Sequence, residues 1–246
     1  PSQILYHHLR FARQSGAELY NRLCQGYPEL MDLTGDWLFS HALFEQKPDN
    51  AAAYITQILR RPRPEPNLTW PHLEAFIAEL LMLPMSASAF VDECVESILR
   101  TGASVVGFSS VYQQNVAALA VAQRLKRRRP ELVTIFGGAN LEGPMGGEMF
   151  QRFPFIDVVF SGESEQRFPP VVQRLLRGER LGPLPNVLAR AHLSGGSPFP
   201  DLGGAMLRDL DRLPVPDYSD YFTQWEAARL DTPARELLQF ASAIGP

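Results

Sequence analysis

The sequence predicts an α/β fold: a Rossmann-like or flavodoxin-like parallel sheet of about four to five strands with flanking helices, preceded by a helical lobe. Two observations carry this. Residues 103–108, 132–136 and 156–160 are short, nearly continuous apolar runs rich in β-formers, the pattern of strands covered on both faces. Between them the apolar period changes to that of helices, so strand and helix alternate and imply βαβ units with right-handed crossovers.

Each element follows from its spacing. In the first third, Leu19 and Leu23, then Trp37, Leu38 and Leu43, then Tyr54, Ile55, Ile58 and Leu59 recur at helical intervals. After the break Arg61-Pro62-Arg63-Pro64-Glu65-Pro66 a further helix carries Leu73, Phe76, Ile77, Leu80 and Leu81 on one side. Proline fixes φ and biases its predecessor away from helix, so the break reads as a stiff loop. The stripe Val116, Leu119, Ala120 and Leu125 places a helix over 111–129, ending in Lys126-Arg127-Arg128-Arg129. Phe168, Val171, Val172, Leu175 and Leu176 place another over 166–177, and a fourth strand is expected at 186–190. The basic run reads as a solvated helix end complementing the helix dipole, and no site is assigned to it. The organisation is a mainly helical region 1–88, a Rossmann-like domain 89–196, and an extended linker 197–246 in which Leu213-Pro214-Val215-Pro216 forbids helix.

Composition narrows the function. The 246 residues are 45% hydrophobic and 20% charged, enough to bury a core, with a formal net charge of −4. No global positive field exists to hold nucleic acid or anionic lipid. No run approaches the roughly 18 apolar residues of a membrane helix, and the first residues do not resemble a signal peptide, so a cytoplasmic protein is expected. Cys24 and Cys94 are too far apart and too few for a zinc ribbon or iron–sulfur cluster. The five histidines, His7, His8, His41, His72 and His192, show no metal-binding spacing, so no metal ligand is assigned. The chain begins without Met and stops at Ala243-Ile244-Gly245-Pro246, so a segment of something longer is expected.

In an open parallel sheet, ligands bind beyond the carboxyl ends of the strands. Three small, polar loops fall there: 109–115, just after Gly107, and the glycine-containing 137–144 and 161–164. Neither the dinucleotide fingerprint nor the P-loop is present, and Gly107-Phe108-Ser109-Ser110-Val111 lacks the closing glycine of a nucleophile elbow. Glu142, Glu163 and Glu165 lie near this crevice; helix capping explains Glu163 and Glu165 without catalysis, and ligand contact is the competing reading, strongest for Glu163. No residue is assigned a catalytic role.

The ordered motifs Val106-Gly107-Phe108-Ser109-Ser110 with Gln113-Gln114-Asn115, Phe136-Gly137-Gly138-Ala139-Asn140-Leu141-Glu142-Gly143-Pro144-Met145-Gly146, Phe153-Pro154-Phe155-Ile156-Asp157, and Ser161-Gly162-Glu163 resemble the cobalamin-binding domain of radical S-adenosylmethionine enzymes. The nearest subgroup is the methyltransferases that mature ribosomally made peptide natural products. Leu213-Pro214-Val215-Pro216-Asp217-Tyr218 resembles their linker to the radical domain, and the similarity covers residues 90–225. The resemblance implies a corrinoid across the carboxyl edge, with Ser109, Ser110, Gln113 and Asn115 meeting its tail or ring. Gly137, Gly138 and Ala139 would allow backbone approach, Asn140 beside them would also contact the cofactor, and Gly162 with Glu163 would border the pocket. It implies as partners a radical S-adenosylmethionine domain or protein and a precursor peptide. Four departures stand beside it: no Asp-x-His-x-x-Gly, a shortened first βα unit, Leu141 where the subgroup has cysteine, and no Cys-x-x-x-Cys-x-x-Cys. Iron–sulfur cluster and S-adenosylmethionine are therefore not expected on this chain. The competing expectations are a degenerate scaffold of a biosynthetic cluster that no longer binds cobalamin, and a nucleotide- or sugar-binding α/β enzyme.

Overall fold

The computed structural model describes residues 32–44, 50–62 and 73–194, with scattered positions near 19, 23 and between 202 and 223. Most of the Pro-rich break, Cys24, and most of the linker lie outside the described residues.

Helix α1 (Thr34–Leu43) is followed by α2 (Ala51–Tyr54), which widens into a π turn at Ile55–Leu59. Helix α3 (Leu73–Leu81) and helix α4 (Leu83–Arg100) meet at Met82, where Pro84 in the first turn starts α4 without losing a needed donor. Helix α4 runs through position 88 without a break. Strand β1 (Val105–Ser109) leads through a 3-10 turn (Tyr112–Gln114) into α5 (Asn115–Arg128), which Pro130 keeps from extending. Strand β2 (Val133–Gly137), a 3-10 turn (Ala139–Leu141) and α6 (Pro144–Arg152) follow, then β3 (Val158–Phe160) and α7 (Phe168–Leu176), then β4 (Val187–Ala189) and the short α8 (Ala191–Ser194).

The four strands form one sheet in the order β1-β2-β3-β4. Strands β1, β2 and β3 are parallel, with Val105 opposite Val133 and Ile135 opposite Val158. The expected fourth strand exists but is antiparallel, pairing Val158 with Ala189 and Phe160 with Val187. The reason lies in the stretch after α7. Leu181 N–H bonds the carbonyl of Leu193 at the amino end, while Asn186 O accepts from Ser161 N–H at the carboxyl end (2.9 Å). Pro183 and Pro185 suit an extended climb between those points, so the chain has already reached the top before β4 begins and can only descend. Asn186 turns it with φ 58, a left-handed conformation that asparagine tolerates.

Alternation along the strands builds two cores. Phe136, Val159 and Leu188 face α4, α5 and α6 with Leu119, Leu125, Val91 and Phe150. Ile135, Val158, Phe160, Val187 and Ala189 face α7 through Val171 and Leu175. A third cluster, around Trp37, Leu38, Leu59, Phe76 and Leu80, fills the helical lobe. Arg124 joins the lobe to α5 from a position only 8% exposed: its guanidinium donates to Ser88 O (2.9 Å), Ser88 Oγ (2.8 Å) and Ala42 O (3.3 Å) and pairs with Asp92. No single described helix is long and apolar enough to cross a membrane; α3 and α4 qualify only as a pair bent by 45°. Their apolar residues Phe76, Ile77, Leu80, Ala87 and Val91 are buried in the protein.

Of the basic run at the end of α5, Arg127 and Arg128 are exposed as expected, while Lys126 departs from a solvated state. Lys126 folds inward and donates to Pro130 O (2.8 Å), Leu132 O (2.8 Å) and Asp157 Oδ2 (2.9 Å). Arg128 pairs with Glu96, and Arg129 with Glu131 and the carbonyl of Ala103.

Candidate ligand-binding site

The three βα loops converge at the carboxyl edge and are tied to one another. Beyond β1, Ser110 N–H donates to Gly137 O (2.8 Å), and Ser110 O accepts from Asn140 N–H (3.1 Å). Gly138 sits between them at φ 100, where a Cβ would lie 2.5 Å from Ser110 O and 2.9 Å from Ser110 N. Only glycine allows the two loops to press backbone to backbone here. Ser110 is fully buried and its hydroxyl donates to Asn115 Oδ1 (2.5 Å), while Asn140 Nδ2 donates to Ser110 Oγ (3.2 Å) and Tyr112 O (2.8 Å). The third loop joins through buried Ser161, whose Oγ accepts from Gly143 N–H (2.8 Å).

The helical lobe clamps the first loop. Gly35 N–H donates to Gln113 Oε1, and Val116 N–H donates to Asp36 Oδ1 (3.1 Å). Asp36 thus caps α5 from α1, eighty positions away, with its carboxylate at the positive end of the helix. Burial raises its pKa above 3.8, more than the Val116 N–H lowers it. Between 3.8 and that raised value the folded state binds the proton more tightly than the unfolded one. Asp36 therefore makes stability fall as pH rises through this window. Asn can accept the same N–H without a charge, so the stability difference between wild type and Asp36→Asn should shift toward Asn as pH rises. Denaturant midpoints of both proteins across acid to neutral pH measure this, and a difference moving the opposite way would overturn the assignment.

The ten residues predicted to contact a ligand divide in two. Ser110, Gln113, Asn115 and Asn140 spend their side chains holding the loops together and to the lobe. Ser109, Gly138, Ala139 and Glu163 are exposed at the edge, with Gly137 and Gly162 half-exposed beside them. Neither Glu163 nor Glu165 caps a helix: α7 starts at Phe168, whose N–H bonds Ser164 O. Instead Glu163 accepts from Leu207 N–H, fastening the start of the linker against the third loop. Leu202, from the same linker, packs near Gly143 and Gly147. Leu141 is fully buried in the core. Among the described residues no three of His, Cys, Asp and Glu gather as a metal site.

Sequence reasoning assigned Ser109 and Gly137 to this edge but missed Gly107 beside them. Gly107, Ser109 and Gly137 lie on the α7 face of the sheet, in step with Val105, Val133 and Ile135. Among the described residues, a Cβ on Gly107 would meet only Phe168 Cζ, at 4.0 Å, and one on Gly137 would touch Phe160 at 3.8 Å. Among the described residues, the upper half of β1 thus carries on this face only the Ser109 hydroxymethyl group. Phe168, itself 40% exposed and tilted against Phe160, stands beside it. Next to Phe168, Arg167 Nε is buried with no hydrogen-bond partner among the described residues. The only signal was Gly107 inside a strand, a place where another group often approaches the backbone.

Fold and site together define an open α/β domain with a groove at the carboxyl edge of its parallel strands, the usual ligand position of that class. None of the protein-family models matches the chain, and none of the curated proteins does.

Proposed function

We propose that the groove holds a corrinoid and that the chain is the cobalamin-binding part of a radical S-adenosylmethionine methyltransferase acting on a ribosomally made peptide. The observation that carries this reading is the strip Gly107, Ser109 and Gly137, which bears only one hydroxymethyl group where a closed sheet would bury larger side chains. A large, flat, amide-fringed ligand needs such clearance together with a few hydrogen-bond donors. The residues present fit that requirement. Gly107, Gly137 and Gly138 would give backbone approach, and exposed Ser109 offers a hydroxyl. When bound, the cobalt of such a group supplies a transferable methyl. The cluster and S-adenosylmethionine would come from a partner domain or protein, in the cytoplasm.

A second reading has its own support. Ser110, Gln113, Asn115, Asn140 and Glu163 are occupied by internal bonds, as in a module that has given up its ligand and serves as a scaffold. Hydroxocobalamin titration followed by desalting and visible absorbance separates the two. The corrinoid reading expects about one equivalent retained by wild type. It also expects Gly107→Val to lose at least ten-fold in affinity with its melting temperature unchanged, since valine suits a strand and meets little there. Wild type that retains none would overturn the corrinoid reading in favour of the scaffold. Retention unaffected by Gly107→Val would remove the ligand from this groove.

A further inference from the structure

Tyr112 is held in a conformation that a plain turn would give to another residue. Its φ is 49, in the left-handed region that disfavours any side chain and is ordinarily filled by glycine or asparagine. Its side chain contributes little packing to offset this, being 77% exposed. The surrounding backbone over-determines the strain. Tyr112 O accepts from Asn140 Nδ2 (2.8 Å), Val111 N–H donates to Gln114 Oε1 (3.1 Å), and the Gln113 side chain is pinned by Gly35 N–H. An exposed aromatic ring on a clamped, strained loop at the carboxyl end of β1 is pre-organised for contact with something outside the chain.

We infer that Tyr112 is a ligand-binding residue whose ring packs on the face of a large planar conjugated ligand seated at this edge. The inference rests on the corrinoid reading above and adds a residue to it that no sequence motif indicated. An aromatic face on a flat ring system gives contact area at small entropic cost, because tyrosine loses only two side-chain torsions and the loop is already fixed. Of the exposed aromatic residues among the described positions, Tyr112 alone combines this backbone strain with a place on a strand-end loop.

The test compares wild type with Tyr112→Gly and Tyr112→Phe by equilibrium dialysis against hydroxocobalamin, with a thermal melt of each. Glycine removes the ring and relieves the strained φ, so Tyr112→Gly should melt at or above the wild-type temperature while its Kd rises ten-fold or more. Tyr112→Phe keeps the ring and should bind within three-fold of wild type. Wild-type binding with an unchanged Kd in Tyr112→Gly would overturn this inference and leave the corrinoid reading standing. No binding by wild type would overturn both. A Tyr112→Gly protein that melts several degrees lower would show that the ring packs on the chain itself, which also overturns it.

Discussion

Gly146→Ala is expected to destabilise the protein by about 3 kcal/mol and to lower its melting temperature by about 10 °C, while Gly147→Ala, one position on, raises it. Both glycines lie in the first half of α6, where alanine is the better helix former by about 1 kcal/mol. They differ in what a methyl group meets. At Gly146 a Cβ would land on the carbonyl oxygen of Leu141, with the Leu141 carbon at 3.0 Å and Val159 Cγ1 at 3.2 Å. Two of those atoms are backbone of the turn that closes the second loop, and neither can swing aside. Relief requires α6 to lift from the Ala139–Leu141 turn, opening the core around Leu141 and Phe150. At Gly147 the nearest atom is Leu202 Cδ1 at 3.7 Å, an ordinary contact, so helix propensity decides the sign. Thermal melts of the two single variants check the pair; equal melting temperatures would refute the close docking of α6. Gly138 is similar to Gly146 in kind. A side chain there strikes the Ser110 backbone, so lost ligand retention in Gly138→Val would report a broken loop pair and say nothing about contact with a ligand. Gly107 is the informative position, since its added Cβ would meet little but Phe168.

What was readable in the sequence was whatever local period and composition determine. The three apolar runs became β1, β2 and β3, and the three loops that follow them do meet at one edge. The fourth strand was placed correctly, but its direction depended on how far the chain travels after α7. Prolines at 183 and 185 permit that climb without announcing it. The clamp on the first loop joins Gly35 to Gln113 and Asp36 to Val116, pairs separated by 78 and 80 positions. No local pattern encodes such a pair, so Gln113 looked free for a ligand when the lobe already held it. Glu163 failed for the same reason, its carboxylate being taken by Leu207 N–H, 44 positions on. The groove at Gly107 was invisible from the opposite cause. A missing side chain has meaning only once its neighbours are known to leave the space empty.

Asp157→Ala is expected to cost about 3 kcal/mol, because it leaves the partly buried Lys126 ammonium without its counter-charge and the buried Thr134 N–H without its acceptor. Asp157 is 2% exposed, and one of its oxygens, Oδ2, accepts from Lys126 Nζ (2.9 Å) and from Thr134 N–H (2.8 Å). The Thr134 hydroxyl lies 3.3 Å from the same oxygen but only 2.6 Å from Phe155 O. A hydroxyl has one proton, and the shorter bond takes it. Lys126 spends its other two donors on Pro130 O and Leu132 O, so no water is needed to complete the ammonium. Arg190 extends the staple. Its N–H bonds Asp157 O (3.0 Å), its guanidinium reaches Ile156 O and Phe153 O, and its carbon lies 3.9 Å over the Phe150 ring. These groups come together at the amino ends of β2 and β3 from the ends of α5, α6 and β4 and the turns between, at the end of the sheet opposite the groove. Charge at that end therefore serves cohesion, and the Phe153–Asp157 stretch that resembles a binding-domain motif acts here on stability. A double-mutant cycle tests the division. Asp157→Leu with Lys126→Met should recover much of the loss that either single change causes, since a matched apolar pair avoids the burial of an isolated charge. Urea midpoints for the four proteins supply the coupling energy, and additive losses would show that the two groups do not act as a pair. Ligand retention, measured in the cold where every variant is folded, should be unchanged throughout the cycle. A parallel fall in retention would place the staple in communication with the groove and contradict the separation of the two ends.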